Sequence, residues 1–415
     1  MSRASKKVLG FGEFVTLMAL LTSLVALSID AMLPALGRIG SDLGVAESND
    51  TQLIIGMVFF GMAVGQIFYG PLSDTVGRKP AIYIGLLLFM VGSVVSWQAQ
   101  SFQVMLLGRL LQGLGASGPK VVTIAMIRDL HEGRAMARVM SFIMAVFVLV
   151  PALAPSLGQA VLTLAGDWRA IFVSFLLLST LSLVWFAIRQ PETLAADNKI
   201  PLNLGRILRG IRVVCSEPKT LGYMVAVGLV FGAFIGYLST AQQIFQGIYD
   251  TGENFPFYFA TLAISIGVAS VFNAHLVMRL GMRYLSQKAL VVMITTSLSY
   301  LLVVYFYGGT PPLWSFMLYG GLTFFCLGLL FGNFNALAME PMGHHAGIAA
   351  SVIGSFGTFI AMALGVLVGQ AFNNTLFPLV LGFLLLGLAA LGVVVLTERR
   401  TDKPALQPLA SGQQD

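Results

Sequence analysis

The sequence predicts an all-α membrane protein, with twelve transmembrane helices arranged as two six-helix bundles. Three observations carry that prediction. Of 415 residues, 57% are apolar and only 10% are charged, where a soluble domain carries about 25% charged residues. Apolar runs of the ~20 residues needed to cross a bilayer occur twelve times. The longest polar connector, 189–219, divides them six from six.

The runs are centred on 13–36, 51–71, 81–99, 103–127, 139–164, 168–188, 220–247, 255–277, 285–307, 312–337, 346–371 and 374–397. The first is too long for a signal peptide and contains Asp30 and Pro34 without a small-residue cleavage pattern, so it is expected to be a retained span. With the N-terminus in the cytoplasm, twenty of the 24 Lys and Arg residues fall on that side. Arg38 and Arg169 fall opposite, and Arg109 and Lys120 lie inside span 4. This asymmetry orients the chain with both termini cytoplasmic. It also accounts for the net charge of +6 without nucleic acid as a partner. The expected domains are an N-terminal bundle (1–190), a cytoplasmic linker (191–219), a C-terminal bundle (220–398) and a disordered tail (399–415). In the linker, Leu204, Ile207, Leu208 and Ile211 fall at helical spacing, with Arg206, Arg209 and Arg212 turned elsewhere. That pattern suits a short helix on the anionic leaflet, or a simple tether. Cys215 and Cys326 have no metal-like spacing, and no disulfide, metal or cofactor is expected.

Scarce charges gather in "GPLSDTVGRKP", 70–80, between spans 2 and 3. Gly70 and Gly77 permit tight turns, and Pro80 suits the first turn of the next helix. Asp74 would pair with cations on neighbouring helix ends, while Arg78 and Lys79 would face the leaflet. The loop would latch the cytoplasmic ends of the two bundles; the alternative is ordinary inside-positive charge. A worn copy, "AHLVMRLGMR" at 274–283, has Gly281 in the place of Gly77 and Met278 in the place of Asp74. Duplicated halves of this kind mark transporters built from parallel repeats.

The 70–80 stretch resembles the loop 2–3 signature of the major facilitator superfamily, with Thr75 where many members carry a basic residue. "RLLQGLGAS" at 109–117 resembles the family's span 4 pattern. "VPALAPSLGQ" at 150–159 is similar to the span 5 signature of proton-exchanging exporters, with Gln159 in place of a second glycine. "SIDAMLPAL" (28–36), "RDL" (128–130), "DWRAIF" (167–172) and, in the second half, "GIAASVIGSFGTF" resemble the bicyclomycin-resistance (Bcr/CflA) branch of drug:proton antiporters. The resemblance implies the major facilitator fold, a bacterial inner-membrane location, drug-like substrates, coupling protons, and functional roles for Asp30 and Arg109.

Ionisable groups inside a bilayer are costly and usually serve a cavity. Asp30 and Arg109 lie at matching depths, roughly 10 Å below the outer surface at 1.5 Å per residue. They would pair or compete, with Asp30 taking up and releasing a proton as the cavity opens to either side; a structural ion pair is the alternative. Lys120 lies deeper and would meet substrate, or snorkel toward the surface. Glu13 would sit at the headgroups. Gln112 and Asn335 are the preferred cavity residues, with Gln242, Gln66, Gln243, Gln246, Asn273, Asn333 and His275 as further polar candidates or interhelical glue. In span 5, Pro151, Pro155 and Gly158 share a face and would form a close-packed gasket between the halves. His344 and His345 stand near Glu340, with no metal expected.

The resulting expectation is a monomeric, proton-driven exporter of small amphipathic compounds, embedded in lipid, with no enzymatic activity. The alternatives are a proton-coupled uptake symporter for a specific metabolite and a non-transporting membrane receptor or scaffold.

Overall fold

The computed structural model describes residues 9–401, which form α-helices, short 3-10 and π turns and connecting loops without a strand. The first half holds α1 (Phe11–Asp30), α2 (Leu36–Asp42), α3 (Leu53–Val76), α4 (Arg78–Trp97), α5 (Phe102–Leu130), α6 (Gly133–Ala165) and α7 (Arg169–Arg189). The connector carries α8 (Leu204–Ser216). The second half holds α9 (Pro218–Gln242), α10 (Phe255–Leu280), α11 (Met282–Phe306), α12 (Leu313–Met339), α13 (Ala346–Gln370) and α14 (Phe377–Thr401). Among the described residues twelve helical stretches are long and apolar enough to cross a membrane, and each coincides with a predicted run. Helices are the expected solution, because in lipid a segment must satisfy its own N–H and C=O groups. Most of the tail expected to be disordered (399–415) lies outside the described residues, as do the side chains of His344 and His345.

Successive spans alternate in direction, so α1 begins and α14 ends on one face, called here the terminal face, which also bears the 70–80 turn. The opposite side is the far face. The first span departs from a single rod. α1 stops at Asp30, followed by a 3-10 turn at Leu33–Ala35 and then α2. Pro34 is the cause: it has no N–H for the Asp30 carbonyl, and its ring disfavours helical geometry behind it.

Lipid supplies no hydrophobic force between helices, so close approach and small residues hold them together. α5 is wedged between α3 and α4. A Cβ built on Gly113 would overlap the Val58 carbonyl oxygen in α3, and one on Gly115 would overlap the Phe89 nitrogen in α4. The span 4 pattern of small residues is therefore a packing code on two sides of one helix.

The halves meet along two seams, α3 against α13 and α6 against α10. In the first, Ser355 donates to the Ala63 carbonyl at 2.5 Å, and the Gln66 amide donates to Thr358 Oγ1 at 3.2 Å. "GIAASVIGSFGTF" thus supplies the small and hydroxylated face of a seam, and Gln66 is glue there rather than cavity lining. α8 packs on α13 and α9, with its Ile207 and Val214 buried. Ile207, expected on the lipid side, instead faces protein.

Gly113→Ala is expected to lower the thermal unfolding midpoint of the purified protein, at a cost of about 1–3 kcal/mol for over-packing. Gly392→Ala, where nothing lies within 4 Å of the added Cβ, should leave it unchanged. Circular dichroism of both variants in detergent checks the contrast.

Candidate functional site

The break in α1 places Asp30 at a helix end inside the bundle. Its side chain is buried, at 4% exposure, and among the described residues no ion pair or hydrogen bond holds it. Arg109 is fully buried on α5. Its guanidinium donates from Nη2 to the Ser28 carbonyl at 2.7 Å, from Nε to the Ile54 carbonyl at 3.2 Å and from Nη1 to Gln112 Oε1 at 2.6 Å. It also lies 6.0 Å from the Phe172 ring centroid. The expected Asp30–Arg109 pair is absent. Ser28 is in the last turn of α1, where carbonyls lack a helical partner, and a cation is favoured at that negative end of the helix dipole. Breaking the helix therefore created the acceptor that Arg109 takes, and Arg109 positions the end of α1 on which Asp30 rides.

Two further elements close on this end. Gly158 of α6 presses against Ala31, so closely that a Cβ there would overlap the Ala31 carbonyl oxygen. The close approach expected at Gly158 thus exists, but it lies within the first half. Contact between the halves on α6 is made with α10, and Pro151 and Pro155 sit within the helix. From the second half, Tyr237 of α9 lies near Asp30. Its hydroxyl is buried and, among the described residues, has no hydrogen-bond partner. Tyr237 belongs to an aromatic cluster: its ring is 4.7 Å from Phe324 and 5.8 Å from Phe259, and Phe234 joins it to Phe231 and Phe331. Phe59 of α3 reaches Phe231 from the first half at 5.7 Å. Nothing in the spacing of Tyr237 marked it among eleven tyrosines.

Gln112 is not in a cavity. It is fully buried and relays Arg109 to Ser93 of α4, its Nε2 donating at 2.7 Å. Lys120 shares the Arg109 face of α5 three turns deeper; it is half-buried and holds no partner among the described residues. Asn335 is exposed on α12, its amide donating to the Phe331 carbonyl. Asn273 and Asn333 bond each other reciprocally at 3.1 and 2.9 Å and are glue between α10 and α12. His275 is exposed and contacts the Val271 carbonyl.

Gln242 lies at the far face, its amide donating to Gln246 and facing Gly37 of the first half. There α9 runs on into a π-turn, Gln243–Ile248, a distortion frequent at functional sites. It presents Gln243 to the first half. Gln52 Nε2 donates to Gln243 Oε1 at 2.6 Å, and Gln243 Nε2 donates to Asn49 Oδ1 at 2.9 Å. Asn49 donates in turn to the carbonyls of Gln370 and Phe372, and Gln370 donates back to the Asn49 carbonyl. Neutral amides thus clasp the two halves across the far face. Sequence reading missed Asn49, Gln52 and Gln370; amides at span ends were the one available signal.

At the terminal face the 70–80 loop is wired inward. Arg78 is buried and bonds Asp74 at 2.5 Å and Asp129 at 2.9 Å. Glu192, just beyond α7, accepts the backbone N–H groups of Arg78 and Lys79, each at 3.0 Å. These are orphan donors at the start of α4. Lys79 Nζ donates to the Ala187 carbonyl and lies 5.9 Å from the Tyr83 ring centroid. Arg78 and Lys79 therefore do not face the leaflet, because carboxylates and carbonyls of their own half capture them. The loop approaches the other half through its backbone: a Cβ on Gly70 would stand 2.6 Å from Ser351 Oγ of α13. Gly77 has φ +117, which only glycine adopts freely. Glu13, expected at the headgroups, pairs with Arg189 at 2.6 Å.

Comparison with known proteins agrees with this architecture. The family model described as Major Facilitator Superfamily matches residues 18–366. A bicyclomycin resistance protein homolog of Haemophilus influenzae is 30% identical over 88% of this chain and 91% of its own length. The multidrug resistance protein MdtL of Shigella flexneri is 28% identical over 79% of this chain and 80% of its own. In fold, the chain is similar to the Escherichia coli xylose transporter XylE in a partially occluded inward-open conformation, with TM-score 0.71 and 13% identity over 98% of this chain and 99% of that one. Twelve spans, the 70–80 loop and these matches together assign the chain to the Major Facilitator Superfamily, among the relatives of the bicyclomycin-resistance proteins.

Proposed function

We propose that the protein is a proton-driven exporter of small amphipathic drugs, working by alternating access in the bacterial inner membrane as a monomer with both termini in the cytoplasm. The observation that carries this reading is Asp30, a buried carboxyl without a cation, at a broken helix end, opposite an unpartnered hydroxyl of the other bundle. With no fixed charge to hold it in one state, such a carboxyl exchanges its proton as the site is wetted and dried. The printed names of the relatives, bicyclomycin resistance and multidrug resistance, support drugs as substrates. The half-buried Phe231, Phe234 and Phe331 suit an apolar body without demanding one shape. The placement of Lys and Arg supports the orientation.

In this scheme the bundles, 1–190 and 220–398, rock about the α3–α13 and α6–α10 seams, with 191–219 as tether. The amide clasp is the outer gate in its shut state. When it opens, a proton from outside loads Asp30 and drug leaves outward; after return, the proton leaves to the cytoplasm and drug enters past Lys120 and Asn335. Arg109 acts as a positioning residue, and Gly70, Asp74, Gly77, Arg78 and Lys79 form the inner gate loop. Pro151 and Pro155 stiffen α6, and Gly158 keeps it against α1 beside Asp30.

In inverted vesicles with an imposed pH gradient, wild type should answer an added drug (bicyclomycin, a chloramphenicol-type compound or a lipophilic cation) with proton movement reported by a pH-sensitive dye. Asp30→Asn should show none. An unchanged response in the variant moves coupling to another group, and flux of drug in the opposite direction makes the protein an importer.

The clasp is tested by spin labels on Glu47→Cys and Glu253→Cys, in a background with Cys215 and Cys326 replaced. Adding Asn49→Ala and Gln243→Ala removes inter-half bonds worth about 1 kcal/mol each, a factor of about five apiece in population. The far-face distance distribution should shift toward longer separations, and an unshifted distribution would remove the clasp from the gate.

A further inference from the structure

The connector carries a surface that neither gate uses. α8 spends Ile207 and Val214 on the protein, and its Gly210 abuts Ile348 near the start of α13. The next stripe around the helix is apolar and uncovered: Leu204 is 64% exposed and Leu208 58%. Arg206, Arg209 and Arg212 fan over the remaining arc, all exposed, and none holds an ion pair among the described residues. Leucines beside unpaired arginines, level with the ends of membrane-spanning helices, match the boundary between acyl chains and anionic headgroups.

This helix is tied to the gate loop. Just ahead of it, the Ile200 N–H donates to the Asp74 carbonyl at 3.0 Å, and Thr75 Oγ1 donates to the Ile200 carbonyl at 2.8 Å. Lys199 Nζ donates to the Val76 carbonyl at 3.0 Å. Asn203 then caps α8, its side chain accepting from the Arg206 N–H. Arg206 and Ile348 also line the small crevice beside Pro71 and Asp74. A force that seats α8 is therefore transmitted to residues 74–76 through three hydrogen bonds and to α13 through the packing of α8 on it.

We propose that α8 is a docking helix for the headgroups of anionic phospholipids, and that its engagement holds the 70–80 loop in place, making the inner gate sensitive to the lipid beneath it. Which leaflet supplies the lipid rests on the orientation proposed above; the coupling does not.

The test uses the full-length protein in nanodiscs of phosphatidylcholine alone or with about one third phosphatidylglycerol, without drug or pH gradient, so its failure is separate from failure of the export reading. Amide exchange is followed by mass spectrometry. Phosphatidylglycerol should slow exchange in 204–216 and in 74–77 by about fivefold or more, the factor one surface cation supplies. In the triple variant Arg206→Gln, Arg209→Gln, Arg212→Gln the two bilayers should give equal rates in both segments, with 49–52 protected as in wild type to show an intact fold. Equal rates for wild type in both bilayers would overturn docking. Slowing in 204–216 without slowing in 74–77 would overturn the coupling, and slowing that survives in the triple variant would overturn the arginines as its cause.

Discussion

A single buried guanidinium ties four helices of the first bundle together at the depth of Asp30. Arg109 leaves α5, bonds carbonyls of α1 and α3, and reaches α4 through Gln112 and Ser93. A cation inside a bilayer needs compensating dipoles, and here they come from two backbone carbonyls, one of them at the broken end of α1, and from one amide. The same constraint fixes the end of α1 and leaves Asp30 without a counter-ion among the described residues. An Asp30–Arg109 ion pair would have consumed both charges in one static contact.

The two halves solve the terminal face in related ways with different residues. In the first, Glu192 reaches from the end of the sixth span to the start of the third. In the second, Glu398 at the end of the twelfth span pairs with Arg283 at the start of the ninth, at 2.9 Å, and accepts from the Tyr223 hydroxyl. Arg283 belongs to the worn copy of the 70–80 stretch. What that copy retains is the tie between last and third spans; what it lacks is the aspartate, since Met278 stands there and is 85% exposed. The triad of Asp74, Asp129 and the buried Arg78 is thus an addition to a framework both halves share.

The far and terminal faces also differ in kind. Neutral amides close the far face between halves, while the ion pairs of the terminal face lie within each half. Amide hydrogen bonds contribute about 1 kcal/mol each and are insensitive to salt and pH, so a few of them make a closure that one proton or one bound drug can outweigh. Separating a partly buried ion pair costs more, which suits joints that stay intact while the bundles move.

The twelve spans and their six-and-six division were legible because each span is a local quantity, the transfer free energy of about twenty consecutive residues. The turn at Gly77 and the helical periodicity of α8 were readable for the same reason: one residue's backbone or a short periodicity decides them. The intramembrane ionisable residues were visible by their rarity, and Asp30 and Arg109 do occupy neighbouring helices. Their partners were not visible. Arg109 takes a backbone carbonyl, a group every residue carries, so composition could not distinguish it from Asp30 as a partner. Gln112, Gln66 and Gln242 differ only in the face their helix turns to a neighbour, and apolar helices with small residues admit many such faces. Arg78 finds Asp129 and Glu192, and Asn49 finds Gln243, across 51, 114 and 194 positions of chain. Hydropathy therefore determined what crosses the membrane, and only the packing of one helix against another decided which polar groups meet inside it.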